Sequence, residues 1–318
     1  MDVLSDVLKS VRLKGVLSGQ IQLSAPWGIK VDSSKHANFC FVKRGSAYLT
    51  LQSHGGPVAI TGGDFLLLPR VRGYVLQDRL ESPTVNLFDL FSCENPPETT
   101  TFGGGGAATT LIMGCFEFDC DDINPLMNVL PELVHIMGDH GELEASLDTT
   151  LKLIASETNS KKPGTEFTVS RLTEVLFAQV IRKLAKDMVK CNESRSWLKA
   201  LTDDQIGKAL TYIHANSSQS LTLDDLAKQS GMSRSAFAAK FANLTDYTPA
   251  QYVTLWRMHT AGQLLKEGKH KVAAIAAMVG YESEASFGTA FKRVYGCAPR
   301  AYAKSKSTES DRLLVPAL

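Results

Sequence analysis

Met232-Ser233-Arg234-Ser235-Ala236-Phe237 and Glu282-Ser283-Glu284-Ala285-Ser286-Phe287 stand fifty positions apart and carry the same serine and phenylalanine. At that offset Phe241 matches Phe291, Pro249 matches Pro299, Tyr252 matches Tyr302 and Ala227 maps to Ala277. Agreement of apolar and punctuation residues across residues 201–304 marks one supersecondary unit used twice.

Each copy reads as two short helices about a tight turn. In the first, Thr222 and Asp225 have capping-box spacing, and Leu223, Leu226 and Ala227 form an apolar face. Gly231 permits a sharp turn, and Ser233 caps a helix over residues 234–243. Phe237 and Phe241, one turn apart, mark its buried side. In the second copy residues 272–278 make the first helix and Gly280 the turn. Ser283 caps a helix over residues 284–294, which Gly296 closes. Helix, glycine turn and capped helix is the helix-turn-helix plan. A helix over residues 249–266, ended by Gly268, joins the copies. Such a rod spans roughly 27 Å at about 1.5 Å per residue.

Residues 12–118 read instead as β structure. Runs such as Phe39-Cys40-Phe41-Val42, Ala47-Tyr48-Leu49-Thr50-Leu51 and Phe65-Leu66-Leu67-Leu68 alternate with turns at Gly55-Gly56-Pro57 and Thr61-Gly62-Gly63-Asp64. That rhythm suits a barrel or jelly roll. Residues 96–110, with four glycines at 103–106, read as a mobile loop. Helical periodicity follows. Leu143, Leu147, Leu151 and Ile154 share one face, and Leu172, Leu176, Val180 and Leu184 share another beyond the break at Lys161-Lys162-Pro163-Gly164. Two such helices serve as a core hairpin, a dimer seam or both.

At 318 residues the chain is too long for one typical core. Its 44 % hydrophobic and 21 % charged content is that of a globular protein, and no apolar run approaches the roughly 20 residues of a membrane span. Residues 1–11 read as an amphipathic helix and not as a signal peptide, which points to the cytoplasm. Residues 1–200 hold 20 Lys and Arg against 23 Asp and Glu, a balance of −3. Residues 201–318 hold 14 against 10, a balance of +4, as suits a mildly basic DNA module on a neutral partner. The six cysteines form no CxxC pair and no zinc-finger spacing.

Residues 201–304 closely resemble the DNA-binding domain of the AraC/XylS family of bacterial regulators. The resemblance is carried by residues 232–237, by the tract from Ile275 to Phe287, and by Phe291-Lys292-Arg293-Val294-Tyr295-Gly296-Cys297-Ala298-Pro299. The N-terminal part is similar to the cupin-like sensor of that family, through Leu23-Ser24-Ala25-Pro26-Trp27-Gly28, residues 63–69 and residues 113–119. The implied fold class is α+β. A cupin-like barrel occupies residues 1–122, a helical dimerisation or packing segment 123–190 and a linker 191–200. Two helix-turn-helix units fill residues 201–304, and 305–318 form a frayed tail.

The resemblance implies a transcription regulator that is not an enzyme and needs no cofactor or metal. Its partners would be double-stranded DNA, a small-molecule effector, a second copy and RNA polymerase, with no membrane. With the phenylalanines inward, Ser235, Ala238, Ala239 and Ala242 face outward on the first reading helix, and Glu284, Ala285, Gly288, Thr289 and Lys292 on the second. Ser233 and Ser283 cap these helices, while Arg234, Lys240, Lys292 and Arg293 hold phosphates or are simply solvated. Family members often carry Arg where this chain has Ala239, so the second helix or DNA shape is expected to contribute more. Arg257 matches a family position and is expected to form an internal ion pair.

In the barrel, metal-binding cupins carry histidines near positions where this chain has Cys40, Arg70 and Tyr74, with His36 and His54 close by. The scarcity of imidazoles speaks against a metal-dependent enzyme with an accessory DNA module. Trp27, His36, Phe39, Cys40, Arg44, Arg70 and Tyr74 are the candidate lining of a pocket for an organic effector, an anionic one included. Cys40, Cys93, Cys115 and Cys120 are redox candidates if an arginine lowers a thiol pKa.

Overall fold

The computed structural model describes residues 3–11, 13–33, 36–52, 56–70, 72–90, 99–118, 125–138, 145–158, 160, 162–190 and 197–304. They fall into two compact units.

One unit holds the described residues of 13–119 and 130–183. Its strands are β1 (Lys14–Ser24), β2 (Gly28–Val31), β3 (Ala37–Arg44), β4 (Ser46–Leu51), β5 (Val58–Thr61), β6 (Phe65–Leu68), β7 (Tyr74–Gln77), β8 (Val85–Asn86), β9 (Thr99–Gly103), β10 (Ala108–Glu117) and β11 (Val134–Ile136). They make a six-stranded sheet in the order β11-β6-β3-β10-β1-β9 and a five-stranded sheet in the order β5-β4-β7-β2-β8.

Alternation along the strands assigns the faces. Cys40 and Val42 join Trp27, Leu49, Leu66, Tyr74, Leu76, Leu111 and Met113 in one buried cluster shared by the two sheets. Phe39, next to Cys40 on β3, points to the other face. There it meets Phe65 at 6.1 Å and Phe116 at 5.1 Å, and Phe116 meets Phe177 of a covering helix at 4.9 Å. Each such buried ring contributes about 1.5–3 kcal/mol.

The covering helices are α3 (Ala145–Thr158) and α4 (Thr165–Lys190). α3 buries Leu147, Leu151 and Ile154 as its periodicity predicts, while Leu143 lies outside the described residues. α4 buries Val169, Thr173, Leu176, Phe177, Val180 and Ile181, whereas Leu172 and Leu184 are only half-buried. The expected stripe was therefore rotated. Thr173 sets that rotation, because its side chain lies where Gly15 of β1 has no Cβ.

The glycine run expected as a mobile loop ends β9 and joins it to β10 on the far side of β1. β9 pairs with β1 in parallel and β10 pairs with it antiparallel. Gly104 N–H donates to Ser24 O at 2.9 Å and Gly106 N–H to Ala25 O at 2.8 Å. A Cβ on Gly103 would lie 1.9 Å from Ser24 O, so the run is glycine because two main chains touch.

The other unit holds the described residues of 3–11, 125–129 and 184–304. Its helices are α1 (Val3–Val11), α2 (Pro125–Val129), α5 (Trp197–Thr202), α6 (Ile206–Asn216), α7 (Leu223–Gln229), α8 (Arg234–Thr245), α9 (Pro249–Glu267), α10 (Val272–Met278) and α11 (Glu284–Tyr295). Two sequence boundaries change. The helix α1 groups with this unit and not with the barrel, burying Val3, Leu4, Val7 and Val11. Trp197, Leu198 and Ala200 are buried in α5, so the expected linker cannot extend past residue 196. Residues 191–196 and 305–318 lie outside the described residues.

Candidate nucleic-acid interface and sensor interior

The first helix-turn-helix is α7 and α8. Thr222 and Asp225 form a reciprocal capping box on α7, and Gly231 takes φ 64° in the turn. Ser233 caps α8 by accepting from Ala236 N–H. The second is α10 and α11, with Gly280 at φ 81° and Ser283 accepting from Ser286 N–H. Phe237 and Phe241 are fully buried with ring centroids 5.5 Å apart at 54°, and Phe287 and Phe291 repeat this at 5.6 Å and 52°. The two cores are built alike.

The copies do not keep one offset. Met232 N–H donates to Ala227 O at 3.0 Å, and Tyr281 N–H donates to Ala276 O at 2.9 Å. Before the serine caps the offset is therefore 49, since Gly231 corresponds to Gly280 and Ala227 to Ala276. Ala276 is buried and Ala277 exposed, which corrects the expected match of Ala227 with Ala277. The second turn holds one more residue, and the offset is 50 from Ser283 onward.

Ser235 and Ala239 are exposed on α8, with Ala238 and Ala242 half-buried beside them. On α11, Glu284, Ala285, Thr289, Lys292 and Arg293 are exposed and Gly288 is half-buried. Arg234 pairs with Asp224 at 2.9 Å and Glu284 with Arg300 at 3.2 Å, both in solvent. Thr289 donates its hydroxyl to Ala285 O of its own helix at 3.1 Å.

Two charged residues depart from expectation. Lys240 is half-buried, its ammonium 2.7 Å from Asp203 and 3.0 Å from Gln205 Oε1. Burial raises the Asp203 carboxyl, but hydrogen bonds from Ile206 N–H, Lys240 and Gln205 N–H outweigh it and leave its pKa below the ordinary value. Lys240 thus ties α8 to the residues between α5 and α6. Arg257 is structural as expected, yet its partners are not carboxylates. Its Nε–H donates to Ser217 O at 2.6 Å, its Nη2 to Gln219 O at 2.6 Å and its Nη1 to Gly280 O at 3.4 Å.

A buried network went unread in the sequence. Trp197, His214 and Tyr252 join α5, α6 and α9 through 3.0 Å hydrogen bonds. Burial, with His259 nearby, holds His214 down to about 3. The capping box of α9 was also missed, although Thr248-Pro249-Ala250-Gln251 carries its signature.

In the barrel, Trp27, Cys40 and Tyr74 are buried together in the shared cluster. Phe39 does not, because it faces the helices. Arg44, Arg70 and His36 are exposed, so they do not line an interior pocket, and His54 lies outside the described residues. Trp27 donates its backbone N–H to Asp78 at 2.7 Å, whereas its buried indole Nε1–H has no hydrogen-bond partner among the described residues. Burial pushes the Cys40 thiol up to about 12. Burial, then the charge of Glu117, pushes Cys115 up to about 11. These are the reverse of the low-pKa thiols that redox sensing requires. Cys93 and Cys120 lie outside the described residues. Among the described residues no group of three or more His, Cys, Asp or Glu is placed to hold a metal, and no helix is long and apolar enough to cross a membrane.

Comparison with known proteins agrees with both units. A family model described as Cupin matches residues 2–186, and one described as Helix-turn-helix domain matches residues 226–305. An AraC-like transcription regulator of Streptomyces antibioticus is 31 % identical over 307 residues, covering 96 % of this chain and 99 % of that one. The HTH-type transcriptional regulator AlkR of Acinetobacter baylyi is 28 % identical, covering 95 % and 99 %. Among solved structures, wild-type ToxT of Vibrio cholerae with bound unsaturated fatty acid aligns over 91 % of this chain and 95 % of that one, at 14 % identity and TM-score 0.36. Paired capped helices after a two-sheet cupin domain, matched by relatives along almost the whole length, place this chain in the AraC-type family of DNA-binding transcription regulators.

Proposed function

We propose that this regulator acts in the cytoplasm as a homodimer, lays α8 and α11 in successive major grooves of DNA, and is switched by a small molecule held in the barrel. The observation that carries the reading is the pair of exposed faces, Ser235 and Ala239 on α8 and Ala285, Thr289 and Lys292 on α11, each backed by a buried phenylalanine pair. Glu284 would accept from a cytosine amino group, and Thr289 with the alanines would meet thymine methyls. Ser233 and Ser283 start the helices, and Arg234, Lys292 and Arg293 hold phosphates. RNA polymerase is the downstream partner in this reading, and the barrel's role is binding rather than catalysis.

The effector that suits this interior is uncharged. The described residues of the cluster are apolar, and the indole Nε1–H of Trp27 offers a buried donor among them. Selection from random duplexes with the full chain tests the DNA reading. A motif of two boxes about 10 base pairs apart is expected. Failure to enrich any sequence, even in low salt, would end it.

A further inference from the structure

We infer that Arg257 fixes the angle between the two reading helices and thereby decides which separation of DNA boxes the protein accepts, given that α8 and α11 enter successive grooves as read above.

The two helix-turn-helix units have separate cores. That of the second comprises Met258, Ala261 and Leu265 of α9 with Ile275, Ala276, Val279, Phe287, Ala290, Phe291 and Tyr302. Every residue of that cluster, including the half-buried ones packed on it, lies at or beyond position 258. The first half of α9 serves the other core, where Tyr252 meets Phe241 edge-on at 5.7 Å. Arg257 stands at the changeover. α9 is one helix of 19 residues, about 28 Å long. A rod of that length bends readily, and a bend of about ten degrees at its middle moves either end by roughly 2 Å. One base pair advances the helix axis by about 3.4 Å and turns it by about 35°. The rod alone therefore holds box separation poorly.

The guanidinium supplies a tie away from the rod's axis. Two of its three acceptors, Ser217 O and Gln219 O, lie in the loop between α6 and α7, which precedes the first unit. The third, Gly280 O, lies in the turn of the second unit. The Tyr281 ring lies 5.7 Å from the guanidinium carbon. The main chains of loop and turn touch at this point, since a Cβ on Gly280 would lie 2.5 Å from Ser218 O. A planar fork of five donors can serve three carbonyls in fixed directions, which a single ammonium cannot do. Arg257 is a positioning residue, and its effect is on spacing rather than on base preference.

The test uses the full chain in selections from random duplexes, followed by binding to selected duplexes with one base pair inserted between the boxes. Wild type should enrich one separation and lose at least about tenfold in affinity on insertion. Arg257→Ala should enrich the same boxes at several separations and lose less than about threefold. Equal insertion penalties in the two proteins would overturn the inference. If Arg257→Ala lacks a cooperative thermal transition, Arg257→Lys replaces it. A folded lysine variant with the wild-type penalty overturns the inference equally. Wild type that enriches no motif brings down the DNA reading and this inference together, whereas a failure confined to the variants leaves the DNA reading standing.

Discussion

The indole Nε1–H of Trp197 donates to the phenol oxygen of Tyr252 at 3.0 Å, across 55 positions of sequence. The same oxygen lies 3.0 Å from Nε2 of His214, whose ring stacks on Trp256 at 3.8 Å. With His214 neutral, Tyr252 O–H donates to Nε2 while its oxygen accepts from Trp197. Three helices are thereby locked at the entrance to the DNA-binding domain.

Tyr252→Phe removes the acceptor of a buried donor and the donor to a buried imidazole. A loss of about 2–3 kcal/mol is expected in urea denaturation. A cost under about 0.5 kcal/mol would mean that water already satisfies the network.

His214 should make the fold acid-sensitive. Its pKa is about 3 in the folded chain against 6.5 ordinarily, so the unfolded chain binds the extra proton. The contribution is fully present above about 6.5 and is lost as pH falls toward 3. Between pH 7 and pH 5 wild type should lose on the order of 2 kcal/mol more than His214→Gln. Parallel stability curves for the two proteins would refute this.

Lys292 and Lys240 should differ in their effect on DNA binding. Lys292→Ala should lower the slope of log affinity against log salt by about one. Lys240→Ala should leave the slope unchanged and lower the melting temperature, because its ammonium is occupied by Asp203. Loss of slope in both variants would restore Lys240 to the phosphate contacts.

Cys40 and Cys115 should react slowly in the native chain. Their thiols sit at about 12 and about 11, so little thiolate exists at neutral pH. Iodoacetamide labelling followed by mass spectrometry should find both modified later than a free cysteine. Both shifts are upward from 9.0, so their contribution to stability is intact below about 9 and is lost as pH rises toward 11–12. Rapid labelling of either residue at pH 7.5 would reopen redox sensing.

The paired-unit fold was legible because its determinants are local. A cap, a glycine at positive φ and phenylalanines one turn apart act within a dozen residues, and residues 222–245 and 283–296 follow them closely. The α+β division was equally readable, since periods of two and of 3.6 residues differ over short windows.

Sequence alone determined the helices and serine caps of the two paired units and the inward face of their phenylalanines, because these are settled between neighbours along the chain. Tertiary structure alone decided that Phe39 faces the helices, that Gly103 lies against Ser24, that Lys240 turns to Asp203 and that Arg257 finds carbonyls instead of a carboxylate. Each of these outcomes depends on a partner 35 or more positions away in sequence. Pairing at such range is selected by the packing of whole elements, which no local pattern of residues encodes.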